Sequence, residues 1–299
     1  MKYLLLYNPV SGRSQFKSHL SYIKSVFRIT HHELEIYESK APRDLLKVAE
    51  EQSANYDVFL VAGGDGTINE VLNGIMKVEK RPALAVLPFG TANDIAAIIG
   101  MNRNIRKTLD ILFTEESVSL DVNQINDQYF IYTAASGILS RVSYDISRRH
   151  LKKYGYLAYV IEAMKDLTME YRYPVKIKYN DQQLSCECVM ILGLCSNRVG
   201  GMRLKNFSNS KLNDGLFELR LFTRAKSLWR FRLLSSLIRG GKKLREDHHL
   251  VSSHFEIETS SNVRWNADGE YSCNGNIDLK TYKEAIKIYV SPKVKKKMF

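Results

Sequence analysis

The sequence predicts an α/β domain, a parallel sheet with helices on both faces, followed by a β-rich domain built as an antiparallel sandwich. Three observations predict it. An unbroken apolar run, Val58 to Ala62, ends in Gly63-Gly64-Asp65-Gly66-Thr67, after which Ile68, Val71, Leu72 and Ile75 recur at helical spacing. A strand that is apolar throughout is one buried on both faces, as in parallel sheets. Around this unit, strand-like and helix-like stretches alternate at the lengths that right-handed βαβ crossovers need. Past Asp121 the texture changes to short strand-like runs separated by turns such as Asn180-Asp181 and Asn213-Asp214-Gly215. The expected division is residues 1–122, with 285–299 a candidate return to that domain, and residues 123–284.

In order, Tyr3–Tyr7 reads as a strand stopped by Asn8-Pro9-Val10-Ser11-Gly12-Arg13, a turn with Pro and Gly. A helix over about 16–28 carries Phe16, Leu20, Ile23 and Phe27 on one face. Leu34–Tyr37 is the second strand, ending at Glu38-Ser39, and residues 42–54 are helical with Leu45, Leu46, Val48 and Ala49 inward. The Val58 strand and its helix, opened by Thr67, run to about Lys77. Ala83–Leu87 is the next strand, followed by Pro88-Phe89-Gly90-Thr91-Ala92-Asn93-Asp94 and helices near Ile95–Ile99 and Ile105–Phe113. The strand-like runs that follow are 130–135, 175–179, 189–194, 216–222, 255–259 and 286–290, with helical stretches near 154–169 and 226–240. In a parallel sheet ligands gather at the carboxyl ends of the strands, so Asn8–Arg13, Ser39, Gly63–Thr67 and Gly90–Asp94 are expected on one edge.

Composition narrows the class. The chain has 299 residues, 44% hydrophobic and 25% charged, as in a water-soluble globular protein. No apolar run reaches the ~18–20 residues that span a bilayer, and the apolar start is too short for a secretory signal, so a cytoplasmic location is expected. The four cysteines, Cys186, Cys188, Cys195 and Cys273, contain no CxxC pair and read as thiols of a reducing compartment. Net charge is +12, and all of the excess lies late in the chain. Residues 1–122 hold 14 basic and 15 acidic residues, and the remainder holds 30 and 17. Such a balance attracts nucleic acid or an anionic membrane surface. No nucleic-acid module is recognisable and the basic runs lack interleaved aromatics, so no nucleic-acid partner is expected.

The chemistry-bearing residues begin with the glycine turn. A strand, a glycine turn and a helix start point backbone N–H groups and a positive dipole end at an anion. The glycines are expected to supply positive φ and close approach to phosphate, and to set the backbone without help from Asp65. An aspartate there would repel bare phosphate, which points to a bridging Mg²⁺ or a ribose hydroxyl. The turn has neither the lysine of a P-loop nor the full Rossmann spacing. Asp94 reads equally as a helix cap. Asp214-Gly215 and Asp268-Gly269 read alone as hairpin turns, the second with Glu270 two residues beyond Asp268.

Together these blocks resemble diacylglycerol kinase catalytic domains. Asn8-Pro9-x-Ser11-Gly12, Gly63-Gly64-Asp65-Gly66-Thr67-Ile68-Asn69-Glu70, Gly90-Thr91-Ala92-Asn93-Asp94, Leu212-Asn213-Asp214-Gly215 and Asp268-Gly269-Glu270-Tyr271 stand in the order found in that family. The resemblance spans nearly the whole chain. The GGDGT block alone is shared with NAD kinases; the five in order are specific. The resemblance implies an ATP-dependent, Mg²⁺-requiring lipid kinase acting on a lipid hydroxyl such as that of diacylglycerol. It implies that Asn8, Pro9, Val10, Ser11, Gly12, Ser39, Gly64, Asp65, Gly66, Thr67, Ile68, Asn69, Glu70 and Thr91 hold ATP. Asp214, with the carbonyls of Lys211 and Leu216, would hold one Mg²⁺. Asp65, Asp94 and Asp121 would form or orient a carboxylate network around a second. Glu270 would be the general base, a choice over Asp268 that rests on the motif and not on sequence chemistry. Asn213 stands where close relatives often carry a second Asp, and Ser272-Cys273 stand where glycines are common.

Phosphoryl transfer suits such an inventory, because it asks for positioning and charge neutralisation more than covalent help. NAD kinase accounts for the glycine turn but not for the Asp214 and Glu270 blocks. A nucleotide-sensing protein accounts for less. A lipid substrate implies peripheral docking on an anionic surface through the basic runs 148–153, 239–245 and 293–297, with Lys152, Lys153, Lys242 and Lys243 the expected contacts. The sequence does not fix the oligomeric state; a homodimer is among the arrangements it allows.

Overall fold

The computed structural model describes residues 1–11, 16–137, 172–196, 198–199, 202–204, 206, 211–223, 235–236, 239–243, 245 and 247–299. The helical stretches expected at 154–169 and, save four residues, 226–240 lie outside them, as do Gly12, Lys152 and Lys153. The chain divides into one unit of Met1–Val122 with Glu284–Phe299, and another of Asn123–Lys283.

In the first unit four parallel strands, β1 (Lys2–Tyr7), β2 (Glu33–Glu38), β3 (Val58–Gly63) and β4 (Ala83–Pro88), stand in the order β2-β1-β3-β4. All six residues of β3 are buried, which is what its uninterrupted apolar sequence requires of a central strand covered on both faces. Helix α1 (Leu20–Ile29) connects β1 to β2, α2 (Asp44–Gln52) connects β2 to β3 across β1, and α3 (Asp65–Ile75) connects β3 to β4. With right-handed crossovers the reversal of direction puts α1 on one face and α2 and α3 on the other. The packing agrees. Tyr3 of β1 meets Phe27 of α1 edge-on at 5.0 Å between ring centres, and both rings meet Phe113 of α5 (Ile105–Thr114). On the other face Gly74 of α3 lies so close to α2 that a Cβ there would sit 2.3 Å from the Leu46 carbonyl oxygen. Ile68, Val71, Leu72 and Ile75 are all buried, at a gain of roughly 1.5–3 kcal/mol for each large aliphatic side chain. The short α4 (Asp94–Ile98) follows β4, and α6 (Pro292–Met298) ends the chain with its proline in the first turn.

The second unit is strand-rich and antiparallel, as the sequence predicts. The chain leaves the first unit within β5 (Val118–Ile125) and re-enters it within β17 (Ile277–Ile288). Between them lie β6 (Gln128–Phe130), β7 (Thr133–Gly137), β8 (Tyr173–Tyr179), β9 (Gln182–Leu194), β10 (Arg198–Val199), β11 (Met202–Arg203), β12 (Phe217–Thr223), β13 (His248–Ser252), β14 (His254–Thr259), β15 (Arg264–Ala267) and β16 (Glu270–Asn274). The long β9 pairs with β8, β7 and β12. Two of its turns are of the two-residue kind that hairpins favour: Asn180-Asp181 and Asp268-Gly269 both have positive φ at both positions. One expected strand is broken. Residues 130–135 divide between β6 and β7, because the N–H groups of Ile131, Tyr132 and Thr133 go to a side chain, that of Asp268.

Candidate active site

Strand order alone singles out one edge of the first unit. The chain reverses direction between β1 and β3, and ligands of open α/β sheets bind outside the carboxyl ends of the strands at such a point. There the turn after β1 is tightly built. The Asn8 N–H donates to the Ala62 carbonyl at 3.3 Å, while the Asn8 side-chain oxygen and carbonyl accept from the N–H groups of Val10 and Ser11 at 3.0 and 3.2 Å. Ser11 Oγ lies 3.2 Å from Thr67 Oγ1, so the turn after β1 touches the helix after β3. Ser39, just past β2, donates its N–H to the Tyr7 carbonyl at 2.9 Å. Asn8, Ser11, Ser39 and Thr67 are thereby brought together, with Pro9 and Val10 on the same turn.

The glycines act differently from expectation. Among Gly63, Gly64 and Gly66 none has positive φ. What they supply is room. A Cβ on Gly63 would sit 2.4 Å from Thr67 Oγ1, and one on Gly90 would sit 2.4 Å from the Gly64 Cα. The turns after β3 and β4 therefore touch backbone to backbone. Positive φ appears instead at Asn93, which closes the second turn by accepting from the Gly90 N–H at 2.7 Å and donating to the Gly90 carbonyl at 2.8 Å. Arg103 braces the same turn, donating to the carbonyls of Gly90 at 3.0 Å and Thr91 at 3.3 Å. Sequence reasoning named Asn93 within the Gly90–Asp94 block and not as the residue that closes this turn, and it missed Arg103; Asn is the common non-glycine resident of this backbone region, whereas Arg103 gives no local signal.

Asp65 is the join between the two turns. Its carboxylate accepts the N–H groups of Asp94 and Ile95, the first of α4, at 3.2 and 3.0 Å. The expectation that the glycines alone set this backbone is therefore corrected, since Asp65 caps a helix start from another element. Burial pushes the Asp65 carboxyl up to about 6, the neighbouring Asp94 charge adds to the rise, and the N–H groups of Ile95 and Asp94 oppose it. Asp94 is buried, and Asp121, also buried, accepts the Glu284 N–H at 2.7 Å. Among the described residues no three His, Cys, Asp or Glu side chains gather in a way that could hold a metal. Two further members of the glycine block face inward. Ile68 is in the core, and the Glu70 carboxylate takes the N–H groups of Arg43 and Leu45 at the start of α2, with burial raising its pKa. Asn69 is buried and accepts from the Asn73 amide at 3.1 Å.

In the second unit the turn Lys211–Leu216 closes on its own aspartate. Asp214 accepts the Lys211 N–H at 3.1 Å and the Leu216 N–H at 3.0 Å, and buried Leu212 anchors the turn. Gly215 has φ +80°, and a Cβ on it would lie 3.2 Å from the Lys283 side chain. One carboxylate and the carbonyls of Lys211 and Leu216 make an all-oxygen set, the kind a hard cation such as Mg²⁺ takes while keeping several waters. The residues present fit that ion.

The β15–β16 hairpin separates its two acids. Asp268, in the left-handed region at φ +49°, turns its carboxylate inward and accepts from Ile131 at 2.6 Å, Tyr132 at 2.9 Å and Thr133 at 3.1 Å. It is 3% exposed and fully committed to holding β6 against β7. Glu270 begins β16 opposite Ala267 and is exposed. Of the two, Glu270 is the one exposed to solvent.

The chain is similar to known proteins over this whole span. Residues 2–125 match the family described as the diacylglycerol kinase catalytic domain. A diacylglycerol kinase of Bacillus subtilis is 33% identical over 89% of this chain and 89% of its own length. One from Staphylococcus carnosus is 30% identical over 97% and 95%. The crystal structure of a diacylglycerol kinase from Bacillus anthracis aligns with a TM-score of 0.80 at 26% identity, covering 98% of each chain.

Proposed function

The chain belongs to the diacylglycerol kinase family, and on that premise we propose that it moves the γ-phosphate of ATP to the hydroxyl of diacylglycerol, giving phosphatidic acid and ADP. The observation that carries the nucleotide half is the edge where Asn8–Ser11, Ser39, Thr67 and the Gly90–Asp94 turn gather at the reversal of strand order. On this reading phosphate oxygens are bound by backbone N–H groups at the start of α3 and by the hydroxyls of Ser11 and Thr67. Glycines at 64 and 90 let the two turns that border this edge pack backbone to backbone. Asp65 holds the α4 turn, and with it Thr91, in register.

The hydroxyl oxygen of the lipid attacks the γ-phosphorus, the bond to the bridging oxygen of ADP breaks, and the hydroxyl proton passes to Glu270, which later returns it to water. Glu270 is chosen because it is an exposed carboxylate, whereas every oxygen of its neighbour Asp268 is occupied by backbone N–H groups. Mg²⁺, held through Asp214 and the carbonyls of Lys211 and Leu216, would stiffen that turn and so shape the site. Asp94 and Asp121 act through backbone and electrostatics.

No helix among the described residues is long and apolar enough to cross a membrane. We propose that the enzyme works as a peripheral protein on the cytoplasmic side, drawn to anionic lipid by the exposed Lys242, Lys243 and Arg245 and by Lys293, Lys296 and Lys297 of α6. The test is transfer of label from γ-labelled ATP in three parallel reactions: diacylglycerol in anionic vesicles, NAD, and no acceptor. Label on the lipid supports the reading. Label on NAD, or released only as inorganic phosphate, overturns it.

A further inference from the structure

We infer that Cys186 and Cys188 form an oxidisable dithiol, a modification site that closes to an intramolecular disulfide on reaction with a low-molecular-weight disulfide. Both lie on β9, two residues apart, so their side chains leave the strand on the same face. Cys186 stands opposite Val175 and Cys188 opposite Tyr173 on β8. The two sulfurs are 3.6 Å apart, already in contact. Two strand steps separate the Cα atoms by about 6.6 Å, inside the upper limit of about 6.8 Å that a disulfide tolerates. The sulfurs must still close to about 2.05 Å. Between Cys186 and Cys188 the pairing with β8 is regular, and the strand becomes irregular just beyond Cys188. Pairing with β12 jumps from Met190–Phe222 to Cys188–Thr223, leaving Val189 as the extra residue of a bulge.

The pair is asymmetric in the way a disulfide-forming dithiol needs. Cys186 is partly exposed and Cys188 is fully buried. The hydrogen bond between the two sulfurs favours the Cys186 thiolate and disfavours that of Cys188; burial opposes the first effect and reinforces the second. Cys186 is therefore the attacking sulfur and Cys188 the resolving one. The other two thiols have polar partners: Cys195 accepts from Asn123 at 3.1 Å and Cys273 from Asn126 at 3.5 Å. In the first step the Cys186 thiolate attacks one sulfur of the small disulfide, forming a mixed disulfide and expelling one thiolate. In the second, Cys188 loses its proton to that thiolate and attacks the Cys186 sulfur, expelling the other half as thiolate, which takes a proton from water. The protein loses two electrons and two protons, and the small disulfide becomes two thiols. A bond spanning three residues of a strand is strained, which places it among the labile, easily reduced kind.

The test treats the reduced, full-length chain with glutathione disulfide, blocks remaining thiols with iodoacetamide and maps the products by mass. The expected result is two of the four cysteines protected, with release of two glutathione thiols per chain. The segment around 186–188 should be two hydrogens lighter, and dithiothreitol should restore it. Cys188→Ser should instead retain glutathione on Cys186. If that variant fails to fold, the wild-type map decides alone. Free alkylation of Cys186 after treatment, a mixed disulfide that persists in the wild-type chain, or cross-linking between chains would overturn the inference. None of these readings depends on phosphate transfer.

Discussion

Replacing Asp268 by asparagine isolates what the β15–β16 hairpin does for the fold from what it does for chemistry. The carboxylate takes three backbone N–H groups, at 2.6, 2.9 and 3.1 Å, from the break between β6 and β7. Hydrogen bonds to a charged group contribute roughly 1.5–3 kcal/mol each, and a buried donor left without a partner costs about 1–3 kcal/mol. Asparagine keeps one acceptor oxygen, enough for Tyr132 and Thr133, but turns an amide N–H₂ toward the Ile131 N–H. One bond is lost and two donors face each other, a cost of about 2–4 kcal/mol. For a unit of this size each kcal/mol lowers the unfolding midpoint by roughly 2–4 °C, so the expected drop is on the order of 4–16 °C. Both tryptophans, Trp229 and Trp265, belong to the Asn123–Lys283 unit, so fluorescence-monitored melting reports that unit selectively. A midpoint within about 1 °C of the unmodified chain would refute the clamp. So would loss of turnover with unchanged melting, which would make Asp268 the base.

Three further outcomes follow from the same reasoning. Asp65→Asn leaves one of the Asp94 and Ile95 N–H groups facing an amide, so it should cost about 1–3 kcal/mol of stability and weaken ATP binding together; calorimetric melting and titration would expose a clamp that is absent if only binding falls. Gly90→Ala puts a methyl 2.4 Å from the Gly64 Cα, so the two turns must part at a cost of about 1–3 kcal/mol, read as a raised KM for ATP and a lower Tm; wild-type values for both would show the turns to be slack. Changing exposed Lys242 and Lys243 together to alanine should weaken binding to anionic vesicles about 30-fold at low salt, from about 1 kcal/mol for each charge, and flatten the salt dependence. Sedimentation indifferent to the change would remove this patch from the membrane contact.

What was legible in the sequence was the part fixed by neighbours. The run Val58–Ala62 could be read as a doubly covered strand because every residue in it is apolar, and Asp268-Gly269 as a hairpin turn because both residues tolerate positive φ. The clamp made by Asp268 could not be read, since its three donors lie 135 to 137 residues away. That clamp is also why 130–135 fails to form one strand. The glycine turn misled for a related reason: Gly63, Gly64 and Gly90 are demanded by contacts with Thr67 and between two turns, not by their own φ. Asp65 looked purely chemical because α4, which it caps, begins 29 residues later. That Cys186 and Cys188 share a face was visible from their spacing, whereas the contact between their sulfurs was not.

The most direct test of the account is turnover of Glu270→Gln on diacylglycerol vesicles, measured beside ATP binding and melting of the same variant. Removal of a general base predicts a kcat lower by about 10²–10⁴-fold, with ATP affinity and Tm unchanged because Glu270 is exposed. A variant that turns over at the wild-type rate, or that loses rate only in proportion to lost folded protein, would contradict the assignment of Glu270 as the base.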